Sequence, residues 1–270
     1  MKFLITVNIF LFISFSAQAF TLNNAAGANF SQNEVKINVE GSSPCSNIDL
    51  TNEELLDVAA EGMDQYWNRA PTSRLHISKG SVIHLSSNFH TEAICTAGTN
   101  CTPNPLIVVP SDILISCNSN ATDFNSTSIL GVTLPNNVTG RTISGALILL
   151  NDKVGSQFRT KTRHEKMTII AHEVGHALGL GHSKIVDSLM YYSHNPNRNY
   201  LSEDDMDGIT FLYPAEQPKI ASCGTISLDK NGPQKGLLFF IMNLLAGLIV
   251  GLTFSKFCVK IIRFYLCTKI

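Results

Sequence analysis

The stretch His172-Glu173-Val174-Gly175-His176-Ala177-Leu178-Gly179-Leu180-Gly181-His182 decides how this chain is read. On a helix, residues i and i+4 share one face a turn apart, so His172 and His176 point at one spot. Glu173 is rotated by about 100° from His172, which puts it beside that spot rather than on it. Gly179 follows three residues after the second histidine. A glycine there can take positive φ, end the helix and swing the chain round. His182 then approaches the same spot from another direction. Three neutral imidazoles that leave a fourth position open are the ligand set of a catalytic rather than a closed structural zinc site. Such an ion lowers the pKa of its water to about 7 and polarises a carbonyl. Glu173 stands where a general base would take that water's proton. The expectation is a zinc-dependent hydrolase with one catalytic Zn2+. An ordinary core helix accounts for one incidental histidine, not for this set.

Met167, Ile169, Ile170, Val174, Ala177 and Leu178 give the helix an apolar stripe suited to burial. The preceding run Arg159 to Lys166 is polar and is expected to be exposed.

These residues resemble the metzincin zinc endopeptidases. Ser188-Leu189-Met190-Tyr191 is similar to the Met-turn, whose methionine packs beneath the metal ligands. Met190 falls eight residues after His182, and Ser183 directly follows it; both are similar to the matrixin (matrix metalloproteinase-like) branch. Leu201 to Ile209, followed by Leu212-Tyr213, resembles the start of the matrixin C-terminal helix. Ser202 with Asp205 is a helix-start signature in its own right. The specific resemblance runs from Lys166 to Tyr213. It implies an α+β fold: a twisted mixed sheet with packed helices, an active-site helix and a Met-turn. It also implies that Met190 shapes the site and that Tyr191 and Tyr192 line the substrate pocket. Tyr192 stands where matrixins usually carry proline. The region 88–104 has His90 but no counterpart of the family's His/Asp-rich loop, so a structural Ca2+ or second Zn2+ is not expected. His76, His84, His90, His164 and His194 read as surface or packing residues.

Met1-Lys2, the apolar run Phe3 to Phe15 and Ala17-Gln18-Ala19 form an export signal over 1–19. Leu237 to Ser255 is apolar apart from Asn243 and long enough to span a bilayer. Lys256, Lys260, Arg263 and Lys269 follow with no acidic residue, which puts the tail in the cytoplasm. Gly247, Gly251 and Ser255 form a small-residue row that would allow a helix-mediated dimer. The expected layout is signal 1–19, metallopeptidase domain 20–213, flexible linker 214–236, transmembrane helix 237–255 and basic tail 256–270. An alternative for the C-terminal region is a processed sorting signal with Cys223-Gly224-Thr225-Ile226 as its short motif. The catalytic domain would then lie on the extracytoplasmic side, periplasmic or extracellular. A net charge of −1 leaves no footprint for nucleic acid.

Within the domain, Val35 to Val39 alternates as a strand, and Thr51-Asn52-Glu53-Glu54 is a capping box opening a helix that carries Leu55, Ala59, Met63 and Tyr66/Trp67. Further strands are expected at Ser81–Leu85, Leu106–Val109, Ile113–Cys117, Ser128–Leu134 and Ile143–Leu150, the last two joined by a Pro-Asn-Asn turn. The resemblance makes Ser128–Leu134 the edge strand that pairs with an extended substrate.

Of seven cysteines, Cys258 and Cys267 fall at the membrane end and are expected to be reduced. In an oxidising compartment, Cys95–Cys101 and Cys45–Cys117 are the candidate disulfides, leaving Cys223 over; four cysteines allow three connectivities. Matrixins are commonly held inactive by a propeptide cysteine on the zinc. Ser43-Pro44-Cys45-Ser46 does not match that switch sequence, so a structural disulfide is expected of Cys45 rather than metal blocking. The expected function is an exported, membrane-tethered zinc endopeptidase acting on extended polypeptide. Its rivals are a catalytically silent peptide-binding module using the same cleft, and a non-proteolytic zinc hydrolase.

Overall fold

The computed structural model describes residues 20–24, 26–42, 45–86, 89, 109, 112–119 and 124–215, with backbone alone at 135–137. The chain divides into two compact units, Met1–Gln217 and Pro218–Ile270. The expected signal, linker beyond 215, membrane helix and tail lie outside the described residues, as do Cys95, Cys101 and Cys223. Among the described residues no helix is long and apolar enough to cross a membrane.

The fold is α+β. Five strands, β1 (Glu34–Glu40), β2 (His76–Ile83), β3 (Ile113–Asn118), β4 (Gly131–Thr139) and β5 (Thr142–Asn151), form one mixed sheet of order β2-β1-β3-β5-β4. β1 pairs in parallel with β2 and β3, and β3 in parallel with β5; β4 is antiparallel to β5. Helix α1 (Asn52–Gln65) packs on β1 and β2, and α2 (Arg163–Ala177) on α1, β4 and β5. Side chains alternate across a strand. Ile113, Ile115, Ala146, Ile148 and Leu150 therefore face the helical layer. Leu114, Leu147 and Leu149 meet Phe89, Val109 and Phe124 on the other side. Cover on both faces explains why β3 and β5 read as unbroken apolar runs.

β1 forms where the alternation predicts, and β3 where a strand is expected at Ile113–Cys117. β2 begins five residues before the expected Ser81. It pairs only with β1 among the described residues and is largely half-exposed, so His76 to Gly80 carry little apolar signal. The expected 135–137 turn lies inside β4. Chain reversal comes instead at Gly140-Arg141, with Gly140 at φ +62°. A glycine-first two-residue loop matches the strand twist, and a proline is tolerated on β4 because that strand is at the edge. Of the expected Leu106–Val109 strand only Val109 is described, and it is not in a strand.

Three helix starts are closed by capping boxes, at Thr51/Glu54, Thr162/Glu165 and Ser202/Asp205. The middle box corrects the expectation of an exposed run up to Lys166. Thr162 opens α2 there, and Lys166 points inward, 4% exposed, with Nζ 5.9 Å from the Phe158 ring centre. Burial pushes its pKa down. Cys45 and Cys117, 72 positions apart in sequence, are joined, with Cα atoms 5.3 Å apart. The bridge ties the loop after β1 to β3, and Cys45 has no free thiol for a metal.

Glu165 accepts from the Thr162 backbone N–H and hydroxyl and also meets Lys161 and His194. Foremost through the Thr162 backbone bond, its pKa is lowered to about 2. A depressed folded pKa contributes stability above the unfolded carboxylate pKa, and that stability is lost as pH falls through the folded value. Glu165→Ala should therefore cost about 1 kcal/mol at pH 7. In thermal melts the gap from wild type should close progressively between about pH 5 and pH 2.

Candidate active site

α2 carries His172 and His176 on one face, as i and i+4 require. The helix ends at Ala177, and Gly179 takes φ +107°. A side chain at 179 would lie 2.5 Å from the Ala28 carbonyl oxygen, so glycine is required by both conformation and space. The turn brings His182 back over the helix. One ligand nitrogen from each of His172, His176 and His182 then falls within 4.8 Å of the others.

Each ring on the helix is oriented from behind. His172 Nδ1 donates to the Leu189 carbonyl (2.6 Å) and His176 Nδ1 to the Leu180 carbonyl (2.8 Å). Those bonds leave the Nε2 lone pairs facing the common centre. His176 Nε2 and His182 Nε2 are 3.2 Å apart. Two nitrogens on a tetrahedral zinc, each at ~2.0–2.1 Å, lie about 3.4 Å apart, so the donor set fits that ion. Burial, and then the neighbouring imidazoles, lower the pKa of His172 to about 3. Burial also lowers that of His176 to about 4. Both rings are neutral at pH 7, the state a metal ligand needs.

Glu173 is 7% exposed and faces the edge strand rather than the cluster's centre. Thr133 on β4 donates its hydroxyl to Glu173 Oε2 (2.6 Å), and the same hydroxyl lies 3.1 Å from the Glu173 carbonyl oxygen. Burial raises the Glu173 pKa to about 7, against the opposing pull of the Thr133 hydrogen bond.

Beneath the cluster, Met190 is buried, and a side chain at Gly175 would lie 2.2 Å from its sulfur. The methionine thus lies against α2 between the two helical histidines. Asp205, the third residue of helix α3 (Glu203–Leu212), holds this turn in place. Its carboxylate accepts from the Leu189 and Met190 backbone N–H groups and from the Ser188 hydroxyl. It also accepts from Ser202 at its own helix start. On the other side of the cluster, residues 21–23 run beside the His182 loop. Thr21 donates its hydroxyl to the His182 carbonyl, and Asn23 its amide to the His176 carbonyl, both at 2.6 Å.

A cavity of about 490 Å3 opens beside His172, Glu173 and His182. Leu130 and Gly131 of the edge-strand region line one wall, and Tyr191 and Tyr192 the other. Tyr191 is half-buried and Tyr192 is 70% exposed. The ring centres of these two tyrosines are 4.4 Å apart. His194, expected to be an ordinary residue, also lines the cavity and bonds Glu165. His76 and His84 are exposed, while His164 is half-buried.

The matrixin family model matches residues 77–214. The chain belongs to the matrixin family. Rat (Rattus norvegicus) stromelysin-1 is 45% identical over 58 residues, 19% of this chain and 12% of that protein. Pig (Sus scrofa) interstitial collagenase is 48% identical over 56 residues, 18% and 11% of the two chains. Metalloendoproteinase 2-MMP of Arabidopsis thaliana is 42% identical over 50 residues, 18% and 13%. The aligned stretch thus spans roughly a tenth of the length of these curated matrixins.

In this matrixin, His172, Glu173, His176, His182, Met190, Tyr191 and Tyr192 lie in one region of the structure. Thr133 and the 21–23 segment reach the site across long sequence separations; Arg198 and His194, which also line the cavity, are closer in sequence but carry no local pattern that places them there. Removing the Asp205 carboxylate strands several buried donors at once. Asp205→Ala should cost roughly 3 kcal/mol in denaturant unfolding. Metal affinity should fall by roughly 10- to 100-fold in zinc titrations, because His172 loses its support.

Proposed function

We propose that this matrixin is an exported zinc endopeptidase that hydrolyses extended polypeptide. The observation that carries the reading is the convergence of three imidazoles beside a buried carboxylate at the wall of an open cavity. His172, His176 and His182 would hold one Zn2+, and the ion would supply Lewis acidity toward a carbonyl and a water molecule.

The chain's own residues supply the rest. Glu173 accepts the proton released as water adds to the scissile carbonyl, and returns it to the departing amine when the C–N bond breaks. Thr133 holds Oε2, and Oε1 lies against Gly131 at the cavity wall. Leu189 and Leu180 fix the imidazole tautomers through their carbonyls. β4 is an edge strand among the described residues, the one that lies against α2, and its outer backbone groups can take a substrate chain by strand addition. Tyr191 and Tyr192 would contact substrate side chains.

The proposal extends to the ends of the chain on sequence alone: a signal at 1–19, a linker at 214–236, a membrane helix at 237–255 and a basic tail at 256–270. The catalytic domain, 20–213, would then work outside the cytoplasmic membrane. Structural calcium or a second zinc is not part of the proposal. A catalytically silent peptide-binding module is not favoured, since Glu173 and all three histidines are present and oriented.

Hydrolysis of an unfolded protein should require zinc and stop on chelation. Glu173→Ala should lower kcat by roughly 10^2–10^4-fold while zinc content stays at one per chain. Activity that survives this change would defeat the mechanism. Thr133→Val should lower kcat by roughly tenfold with KM little changed, and Thr133→Ser should restore it.

A further inference from the structure

Polar and apolar groups both line the cavity, and one of the polar ones is incompletely satisfied. Arg198 is 5% exposed and lines the cavity. Its two terminal nitrogens donate to the Leu189 and Val186 carbonyls, at 3.3 and 3.0 Å. Its Nε is buried and has no hydrogen-bond partner. No carboxylate forms an ion pair with it among the described residues. A buried guanidinium N–H without an acceptor is costly, and such groups call for an explanation.

The surroundings keep Arg198 in place and leave that acceptor missing. Tyr66 donates its hydroxyl to the Arg198 carbonyl (2.6 Å), and His164 Nε2 lies 3.2 Å from the same oxygen. Lys161 and His194 also line the cavity, but both are engaged by Glu165. Thr168 and Gln157 add further polar surface. An apolar side chain entering here would abut the edge of a buried guanidinium without pairing it, and a basic one would meet like charge. A carboxylate would supply both the acceptor and the opposite charge.

We infer that the cavity selects substrates through an acidic side chain, with Arg198 as the specificity-determining residue. The inference rests on the endopeptidase reading for its substrate class, but its binding part can be tested apart from cleavage. A site built to satisfy a polar group discriminates strongly against analogues that lack the partner.

The test uses peptides carrying Glu, Gln, Leu or Lys at each of the two positions flanking the scissile bond. Zinc-loaded wild type gives kcat/KM, and zinc-loaded Glu173→Gln gives Kd without turnover. At the position that enters the cavity, Glu should exceed Leu by roughly tenfold or more in both readouts, with Lys poorest. Arg198→Met should bring the Glu/Leu ratio close to one, a comparison that general damage to the fold would not produce. Leu peptides that match or exceed Glu peptides in wild type overturn the inference, and this decides it even where Arg198→Met does not fold. A ratio unchanged in folded Arg198→Met overturns it equally. Cleavage of no peptide, with the Glu preference kept in Kd, defeats the hydrolytic reading and leaves the cavity assignment standing.

Discussion

One buried carboxylate connects the parts of this site. Asp205, 2% exposed, starts α3, gathers the Ser188, Leu189 and Met190 groups, and so sets the turn beneath the metal cluster. The Leu189 carbonyl then orients His172 from below and also receives an Arg198 N–H. A charge placed so deep is tolerated because its oxygens take several charge-assisted hydrogen bonds. The C-terminal helix, the turn, the first histidine and the cavity wall therefore form one mechanical unit. Displacing any member would tilt the His172 ring away from the common centre.

The other half of the site depends on the sheet. β4 lies against α2, and its Thr133 hydroxyl grips the general-base candidate. The carboxylate is thus held by one element while the imidazoles are aimed by others. Preorganisation of this kind matters because small displacements of catalytic groups are expensive in rate. The 21–23 segment adds a third brace, reaching the backbone of the second and third histidines from far upstream in sequence.

What the sequence discloses here follows the range of each interaction. The i, i+4 histidines, the glycine that ends α2 and the Thr51 and Ser202 capping boxes act over a few residues, so their spacing alone reveals them. The Thr162 box has the same signature, yet it lies in a polar run that composition reads as surface. Thr133, Arg198 and Asn23 reach the site across 40, 9 and 153 residues in their key bonds. For Thr133 and Asn23 no local pattern encodes the contact. Arg198 is near in sequence, but its burial depends on Tyr66, 132 residues away. β2 and the 140–141 reversal differ from their expected positions for a related reason: pairing with a neighbour strand, not local propensity, sets their limits.

The central claim is that the three imidazoles form an open, catalytic zinc site rather than a closed one. X-ray absorption at the zinc edge of the loaded protein tests it most directly. The account predicts three imidazole nitrogens and one exchangeable oxygen donor at about 2.0–2.1 Å, with no sulfur. A fourth protein ligand, or a sulfur at about 2.3 Å, would contradict it.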